Sequence, residues 1–132
     1  MTRAVIPIWR KSSHKGIIIN IGSTAGIIPR PGLTWYGSSK GAVNFMSKAL
    51  AIELAPDKIR VNCIAPVAGD TPLLPQFMGE DTKENREKFI STIPLGRFSV
   101  AADIAGAAVY LASDDAELVT GIVLPIDGGR TI

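Results

Sequence analysis

The sequence predicts an α/β fold in which parallel strands alternate with helices. Three short runs of apolar, largely β-branched residues indicate buried strands, at 16–21 (GIIINI), 59–66 (IRVNCIAP) and 121–126 (GIVLPI). Longer segments with helical periodicity lie between them. Continuously apolar strands that alternate with helices are typical of a parallel sheet covered on both faces. We therefore expect three parallel strands with covering helices.

The third strand and the segment after it carry two further signals. Pro125 has no N–H to donate to a sheet, so it favours a strand end or an edge strand. The sequence Asp127-Gly128-Gly129 then predicts a turn, which we interpret as structural.

The longest predicted helix begins near Thr34, a candidate N-cap, and ends near Leu54, before Pro56. A mostly apolar stripe at three- and four-residue spacing runs along it and consists of Ala42, Phe45, Met46, Ala49, Leu50 and Glu53.

Three further helices are expected. The first fifteen residues have the pattern of a helix end, with one side formed by Ala4, Val5, Ile8 and Trp9. Residues 81–93 carry mixed charges, which indicate a solvated helix face. Residues 101–113 are rich in alanine and predict a closely packed helix.

Composition excludes several classes of function. The chain has 132 residues, and 14 Lys and Arg against 12 Asp and Glu give a net charge of +2 without a basic cluster, so a nucleic-acid partner is not expected. One Cys and one His exclude a disulfide framework and a zinc site built from Cys and His. No apolar run approaches the roughly 20 residues that span a bilayer. We expect a single cytoplasmic domain over residues 1–132, without membrane partners or metal.

Tyr36 and Lys40 are four residues apart near the start of the longest helix, so they share one face of it. A neighbouring ammonium group and the positive end of a helix both favour the phenolate form of a tyrosine. The pair is therefore a candidate proton donor and acceptor. Ser23 follows the first strand, where a parallel sheet places its ligand crevice, and can hydrogen-bond a substrate carbonyl.

Ser23, Tyr36 thirteen residues later and Lys40 at the fourth position after Tyr36 resemble the active-site pattern of the short-chain dehydrogenase/reductase family. Four blocks occur in the family's order and cover nearly the whole chain: IINIGSTAG, YGSSKGAV, LAIELAPDKIRVNCIAP and DIAGAAVYLASDDAELVTGIVLPIDGG. Within the family, the chain most resembles 3-oxoacyl-carrier-protein reductases and glucose-dehydrogenase-like members.

The resemblance implies hydride transfer between a nicotinamide cofactor, NAD or NADP, and a small carbonyl or alcohol substrate. Tyr36 would be the general acid and base, Lys40 would contact the nicotinamide ribose, and Ser23 would polarise the carbonyl. Three residues after the second strand would join Tyr36 and Lys40 in binding the cofactor: Pro66, Val67 and Thr71. Val67 stands where the family usually has Gly, and Gly69 is placed to restore the turn.

The family's Gly-rich pyrophosphate turn does not occur in this chain, because no two of its 13 glycines are separated by one residue. The resemblance therefore implies the C-terminal half of a Rossmann-type doubly wound sheet, with the N-terminal βαβ half absent. Two hypotheses stay open. One is an oxidoreductase or its catalytic half, and the other is a truncated, inactive fragment that serves as an oligomerisation or interaction module. Family members pair through helices into dimers and tetramers, so a homo-oligomer through the long helix is expected.

We also make predictions for the segment after Thr71 and for several single residues. A variable substrate lid should follow Thr71, its apolar wall formed by Leu73, Leu74, Phe77 and Met78. Trp35 fits a pocket lining or core packing equally well. Strand-end hydrogen bonds are expected for Asn20 and Asn62, burial for Cys63, and a solvated loop for His14.

Overall fold

A computed structural model of the chain describes residues 2–12 and 15–132. Its centre is a three-stranded parallel sheet in the order β1-β2-β3, formed by β1 (Ile17–Ile21), β2 (Arg60–Pro66) and β3 (Val123–Ile126). The predicted α/β class and the three parallel strands are confirmed. Each observed strand begins one or two residues later than predicted.

Five α-helices surround the sheet in the part of the chain that the structure describes. They are α1 (Thr2–Lys11), α2 (Thr34–Leu54), α3 (Pro75–Met78), α4 (Lys83–Ile90) and α5 (Ala101–Ala112). The sequence predicts four of these, while the single turn of α3 is too short to carry a periodic signal. Three 3₁₀ turns, Thr24–Gly26, Ala55–Asp57 and Asp114–Ala116, complete the connections.

Strand β2 lies at the centre of the sheet and is buried on both faces. The cluster on one face joins Val61 to Ala51 and Leu54 of α2, with Trp9 of α1 packed against it. On the opposite face, Arg60 donates hydrogen bonds to the carbonyl oxygens of Leu111, in the last turn of α5, and Ser113, directly after α5, at 2.8 and 3.2 Å. Alternation of side chains along a strand therefore places α2 and α5 on opposite faces.

Strands β1 and β3 form the two edges of the sheet. Pro125 lies in β3, so the prediction of an edge strand is confirmed. On β1, Ile17 and Ile21 are 36% and 49% exposed. The first strand is therefore only partly covered in this chain.

The helix termini differ from the sequence predictions in two places. Thr34 is the first residue of α2 and not its N-cap, which is Leu33 and makes no side-chain capping bond. Helix α4 is shorter than predicted because Thr82 caps it, its hydroxyl accepting a hydrogen bond from the backbone N–H of Asn85.

The apolar stripe predicted on α2 is mostly turned away from the sheet: Leu50 packs against the cluster around Val61, whereas Ala42, Phe45 and Met46 are exposed. Helix α2 instead buries Asn44, Ser47, Ala51 and Leu54, of which two are polar and hydrogen-bonded. Phe45 is 75% exposed. Helix α1 likewise turns Ile8 outward and packs Ile6 and Trp9 against the core.

No helix among the described residues has the length and apolar character needed to cross a membrane. The expectation for His14 lies outside the described residues.

Asn62 is fully buried in β2 and connects the sheet to the loop before β3. Its amide nitrogen donates to the carbonyl of Val119 at 2.9 Å, and its amide oxygen accepts from the N–H of Ile122 at 3.2 Å. The predicted hydrogen-bonding role of this residue is confirmed, and so is that of Asn20, which donates to Ser47.

Replacing Asn62 by Leu should lower the free energy of unfolding by about 1–3 kcal/mol, because the N–H of Ile122 would lose its buried acceptor. Urea unfolding measures the change. Asn85→Ala on α4 is the control, since its side chain is partly exposed, and it should alter stability by about 0.5 kcal/mol or less. Equal losses for the two variants would contradict the assignment.

Candidate active site

A cavity of about 340 Å³ opens where β1 and β2 end. Carboxyl ends of parallel strands meet at one edge of a sheet, which is the usual position of a ligand crevice in α/β folds. The cavity is lined by all the residues predicted for catalysis and cofactor binding, namely Ser23, Tyr36, Lys40, Pro66, Val67 and Thr71. Residues far apart in the sequence are therefore brought to one space, of a size typical for small-molecule sites.

Ser23 lies in the turn between β1 and α2 and is 8% exposed. Its Oγ accepts a hydrogen bond from the N–H of Ala25 at 3.1 Å, so the hydroxyl caps the 3₁₀ turn that follows. Its carbonyl accepts from Asn44 of α2 at 3.4 Å. The hydroxyl proton stays available to donate, because the capping bond uses only an oxygen lone pair.

Tyr36 and Lys40 extend from the first turns of α2 toward the same cavity. The Lys40 ammonium donates to the carbonyl of Ile21 at 3.0 Å and lies 5.8 Å from the centre of the Tyr36 ring. The bond to Ile21 ties the helix to the end of β1. It also holds a positive charge beside the tyrosine, as the four-residue spacing predicts.

The turn after β1 and helix α2 approach each other backbone to backbone. A Cβ added at Gly26 would lie 2.5 Å from the nitrogen of Gly41 and 2.5 Å from the carbonyl carbon of Lys40. At Gly37, an added Cβ would lie 2.9 Å from the carbonyl oxygen of Ala25. Glycine is therefore required where the loop carrying Ser23 meets the helix carrying Tyr36.

The segment after β2 forms a second wall of the cavity. Val67 is 5% exposed and packs in a cluster with Leu74, Ile93 and Phe98. Gly69 forms a parallel bridge with Ser99, and an added Cβ there would lie 3.3 Å from the Ser99 hydroxyl oxygen. The isolated bridge at Gly69 fixes the chain between Val67 and Thr71.

The segment predicted as a lid contributes two of its four apolar residues to the cavity. Leu73 and Phe77 line it, and the ring of Phe77 meets that of Tyr36 edge-on at 5.4 Å. Leu74 is instead fully buried in the core, and Met78 packs against the same cluster. Trp35 is 89% exposed and does not line the cavity, so neither alternative considered for it is observed.

Arg86 of α4 connects the lid to the wall after β2. It forms ion pairs with Asp81 and, at 3.0 Å, with Asp70, and its guanidinium lies over the Phe98 ring at 5.8 Å. The pairing with Asp81 and Asp70 raises the pKa of Arg86 and keeps it charged. Each pair is partly exposed, so we assign the network a positioning role rather than a large share of stability.

The turn after β3 is confirmed, and it also presents a residue that the sequence analysis missed. Gly128 and Gly129 have positive φ angles of 62° and 89°, and the Asp127 carboxylate accepts hydrogen bonds from Gly129 and Thr131. Burial opposes ionisation of Asp127, but hydrogen bonds from Thr131 and Gly129 leave its pKa below the ordinary value. Arg130 follows and lines the cavity. Arg30, in the loop before α2, lines the cavity as well. The sequence analysis missed both arginines because neither belongs to a recognisable motif.

Cys63 is fully buried in β2, as expected, and its thiol donates to Asn44 at 3.4 Å. Burial raises the pKa of this thiol, so it stays neutral. Within residues 2–12 and 15–132, His, Cys, Asp and Glu side chains form no group of three that could hold a metal ion.

Comparison with known proteins identifies the family. Residues 1–131 match the family described as enoyl-(acyl carrier protein) reductase. The chain is 47% identical over 131 residues to 4-formylbenzenesulfonate dehydrogenase of Comamonas testosteroni, covering 98% of this chain and 52% of that relative. It is 41% identical over 132 residues to a 3-oxoacyl-(acyl-carrier-protein) reductase of Thermotoga maritima, covering 100% and 52%.

A solved structure gives the same result for the fold. The crystal structure of 3-ketoacyl-(acyl-carrier-protein) reductase from Brucella melitensis, complexed with NADH, is similar with a TM-score of 0.91 and 47% identity. The matched region covers 100% of this chain and 52% of the Brucella melitensis chain. The chain belongs to the short-chain dehydrogenase/reductase family of oxidoreductases. It spans about half the length of the curated relatives it matches.

Replacing Gly26 by Ala should lower the free energy of unfolding by about 1–3 kcal/mol, because the added Cβ would push the Ser23 turn away from α2. Thermal or urea unfolding measures the loss. Gly106→Ala is a matched control, since nothing lies within 4 Å of its added Cβ and alanine favours the helix. The packing argument is wrong if the two variants are equally stable.

Proposed function

We propose that the protein is an NAD(P)-dependent oxidoreductase that transfers hydride between a nicotinamide cofactor and a carbonyl or secondary alcohol. The observation that carries the proposal is the convergence of Ser23, Tyr36 and Lys40 on one cavity at the carboxyl ends of β1 and β2. Membership of the family supports it, and so do the relatives' names, which describe dehydrogenases and reductases.

In the reducing direction, the Ser23 hydroxyl donates a hydrogen bond to the substrate carbonyl oxygen and draws electron density onto it. As the carbon–oxygen π bond breaks, Tyr36 gives its phenolic proton to that oxygen; the carbonyl carbon would gain the hydride that the bound cofactor supplies, so the carbonyl becomes an alcohol. The Lys40 ammonium stabilises the phenolate left on Tyr36. In the oxidising direction, Tyr36 accepts the alcohol proton instead.

The residues around the cavity fit the nicotinamide end of such a cofactor, which supplies or accepts the hydride when bound. Pro66, Val67 and Thr71 form the wall that would hold the ring, and Tyr36 and Lys40 would hold the adjoining ribose. The NADH in the Brucella melitensis relative supports a nicotinamide cofactor. Since a Gly-rich turn is lacking in these 132 residues, the phosphates would need contacts from outside them.

Replacing Tyr36 by Phe should reduce the turnover of a carbonyl substrate about 100-fold or more, because the proton donor is removed. Cofactor binding should change much less, since Lys40 would still contact the ribose and the Tyr36 ring keeps its contact with Phe77. The measurement is oxidation of NADH and NADPH at 340 nm, with a fluorescence titration of each cofactor alongside.

Tyr110→Phe is the matched control, because Tyr110 lies on α5 and does not line the cavity. Full activity in this control, with loss in Tyr36→Phe, supports the assignment. Unchanged turnover in Tyr36→Phe would exclude Tyr36 as the acid and base.

A second candidate function, as an oligomerisation module, is favoured by an exposed stripe on α2. We define the α2 stripe as five residues on one face, at successive intervals of seven, three, four and three residues: Trp35, Ala42, Phe45, Ala49 and Ile52. Phe45 and Ile52 are 75% and 78% exposed, and the small side chains of Ala42 and Ala49 allow close approach of a second helix. We propose that this stripe pairs two copies of the protein, as dimers or tetramers.

Phe45→Glu should shift the protein toward the monomer, because a charge would be buried in the pairing surface. Native mass spectrometry over a concentration series measures the change. Val109→Glu provides the control, since Val109 is also apolar and exposed, at 69%, but lies on α5. An unchanged oligomeric state in Phe45→Glu would contradict pairing through the α2 stripe.

A further inference from the structure

Two arginines line the cavity beside the proposed catalytic residues. Arg30 lies in the loop before α2, and Arg130 lies in the turn after β3. They are far apart in the sequence, and neither has a role in the proposed proton transfer. Within the part of the chain that the structure describes, neither forms an ion pair.

Arg130 is held in a defined position but lacks a partner for its charge. Its guanidinium stacks on the Phe89 ring of α4, with the central carbon 3.9 Å from the ring centre. Its Nε is buried and has no hydrogen-bond partner among the described residues. A buried donor without an acceptor is costly, so such an atom calls for an explanation.

The electrostatic surroundings of Arg130 favour an anion. Charged side chains lining this cavity are Arg30, Lys40 and Arg130, and none of the described lining residues is acidic. Burial and the nearby Arg30 charge lower the pKa of Arg130 to about 10, so the guanidinium is still charged at neutral pH. The charge of Asp127 opposes this lowering of the pKa, but its carboxylate oxygens accept hydrogen bonds from Gly129 and Thr131.

We propose that Arg130, assisted by Arg30, binds an anionic group of the substrate, a carboxylate or a sulfonate, while the carbonyl lies against Ser23 and Tyr36. This inference rests on the proposed oxidoreductase function and adds the substrate class to it. A planar guanidinium can pair with two oxygens of such a group, which would give the positive charge of Arg130 the partner that it lacks among the described residues. The aromatic rings of Phe77 and Phe89 would flank the body of the substrate.

Cofactor phosphates share this anionic chemistry, but the position of Arg130 favours the substrate. Its guanidinium lies on Phe89 of α4, in the same cavity as the lid residues Leu73 and Phe77. Phe77 in turn touches the ring of Tyr36, the proposed proton donor. An anion on Arg130 therefore belongs to a molecule that lies between the lid and the reacting tyrosine.

The test compares two aldehydes that differ by one para-carboxylate group, benzaldehyde and 4-formylbenzoate, in the full chain with saturating NADH or NADPH. We expect kcat/KM to be at least tenfold higher for 4-formylbenzoate. Arg130→Gln should reduce this preference about tenfold or more, because kcat/KM for 4-formylbenzoate falls while that for the neutral benzaldehyde, which forms no ion pair with Arg130, changes far less; cofactor binding should be retained. Arg30→Gln should reduce it less, and Arg130→Lys should retain part of it because the positive charge stays.

Arg3→Gln is the control for net charge, since Arg3 is exposed on α1 and does not line the cavity. It should leave the preference between the two aldehydes unchanged. If Arg130→Gln does not fold, Arg30→Gln and Arg130→Lys carry the comparison.

Calorimetric titration with terephthalate gives a readout that does not need turnover, because this dianion has no aldehyde or ketone group to reduce. Binding that is lost in Arg130→Gln but kept in Arg3→Gln supports the anion site, even if neither aldehyde is turned over and the oxidoreductase proposal fails. Equal kcat/KM for the two aldehydes in the wild type would overturn the inference. Weakened NADH binding in Arg130→Gln with an unchanged aldehyde preference would assign the arginine to the cofactor phosphates and overturn it as well.

Discussion

The close backbone contact between the turn after β1 and helix α2 is the constraint on which the site depends. Gly26 and Gly37 lack the Cβ atoms that would separate the two segments. The hydrogen bond from Lys40 to the carbonyl of Ile21 then ties the helix to the strand end. Because Ser23 lies on the turn and Tyr36 on the helix, their approach follows from this packing rather than from any direct bond between them. Asn44 and Ser47 occupy the buried face of α2 because they hydrogen-bond the carbonyl of Ser23 and the side chain of Asn20.

The fold was predictable to the extent that it depends on local pattern. Continuous apolar runs locate all three strands, and Pro125 indicates an edge strand. Which face of α2 packs against the sheet was harder to predict, because most of its apolar stripe is exposed and its buried face carries Asn44 and Ser47. Hydrophobicity identifies a helix face but does not say whether the sheet or another molecule covers it.

The candidate site divides in the same way. Ser23, Tyr36 and Lys40 could be found because their spacing is a motif and each has evident chemistry. Arg30 and Arg130 could not be found in this way, since they share a cavity only because the fold brings the loop before α2 close to the turn after β3. Likewise, the lid segment was recognisable as apolar, yet only the structure separates Leu73 and Phe77, which face the cavity, from the buried Leu74.

The two edges of the sheet differ in their capacity for growth. The carbonyls of Ile122 and Ile126 accept hydrogen bonds from Cys63 of β2 and from Val67, the residue after β2. Residues at the alternate positions, including Pro125, therefore direct their backbone groups outward. Proline has no N–H, and the outer edge of β3 therefore lacks a donor that an added strand would need. β1 contains no proline and pairs on one side only. Only the β1 edge therefore offers a full set of backbone donors and acceptors. A fourth strand, whether from the same polypeptide or from another molecule, would join next to β1.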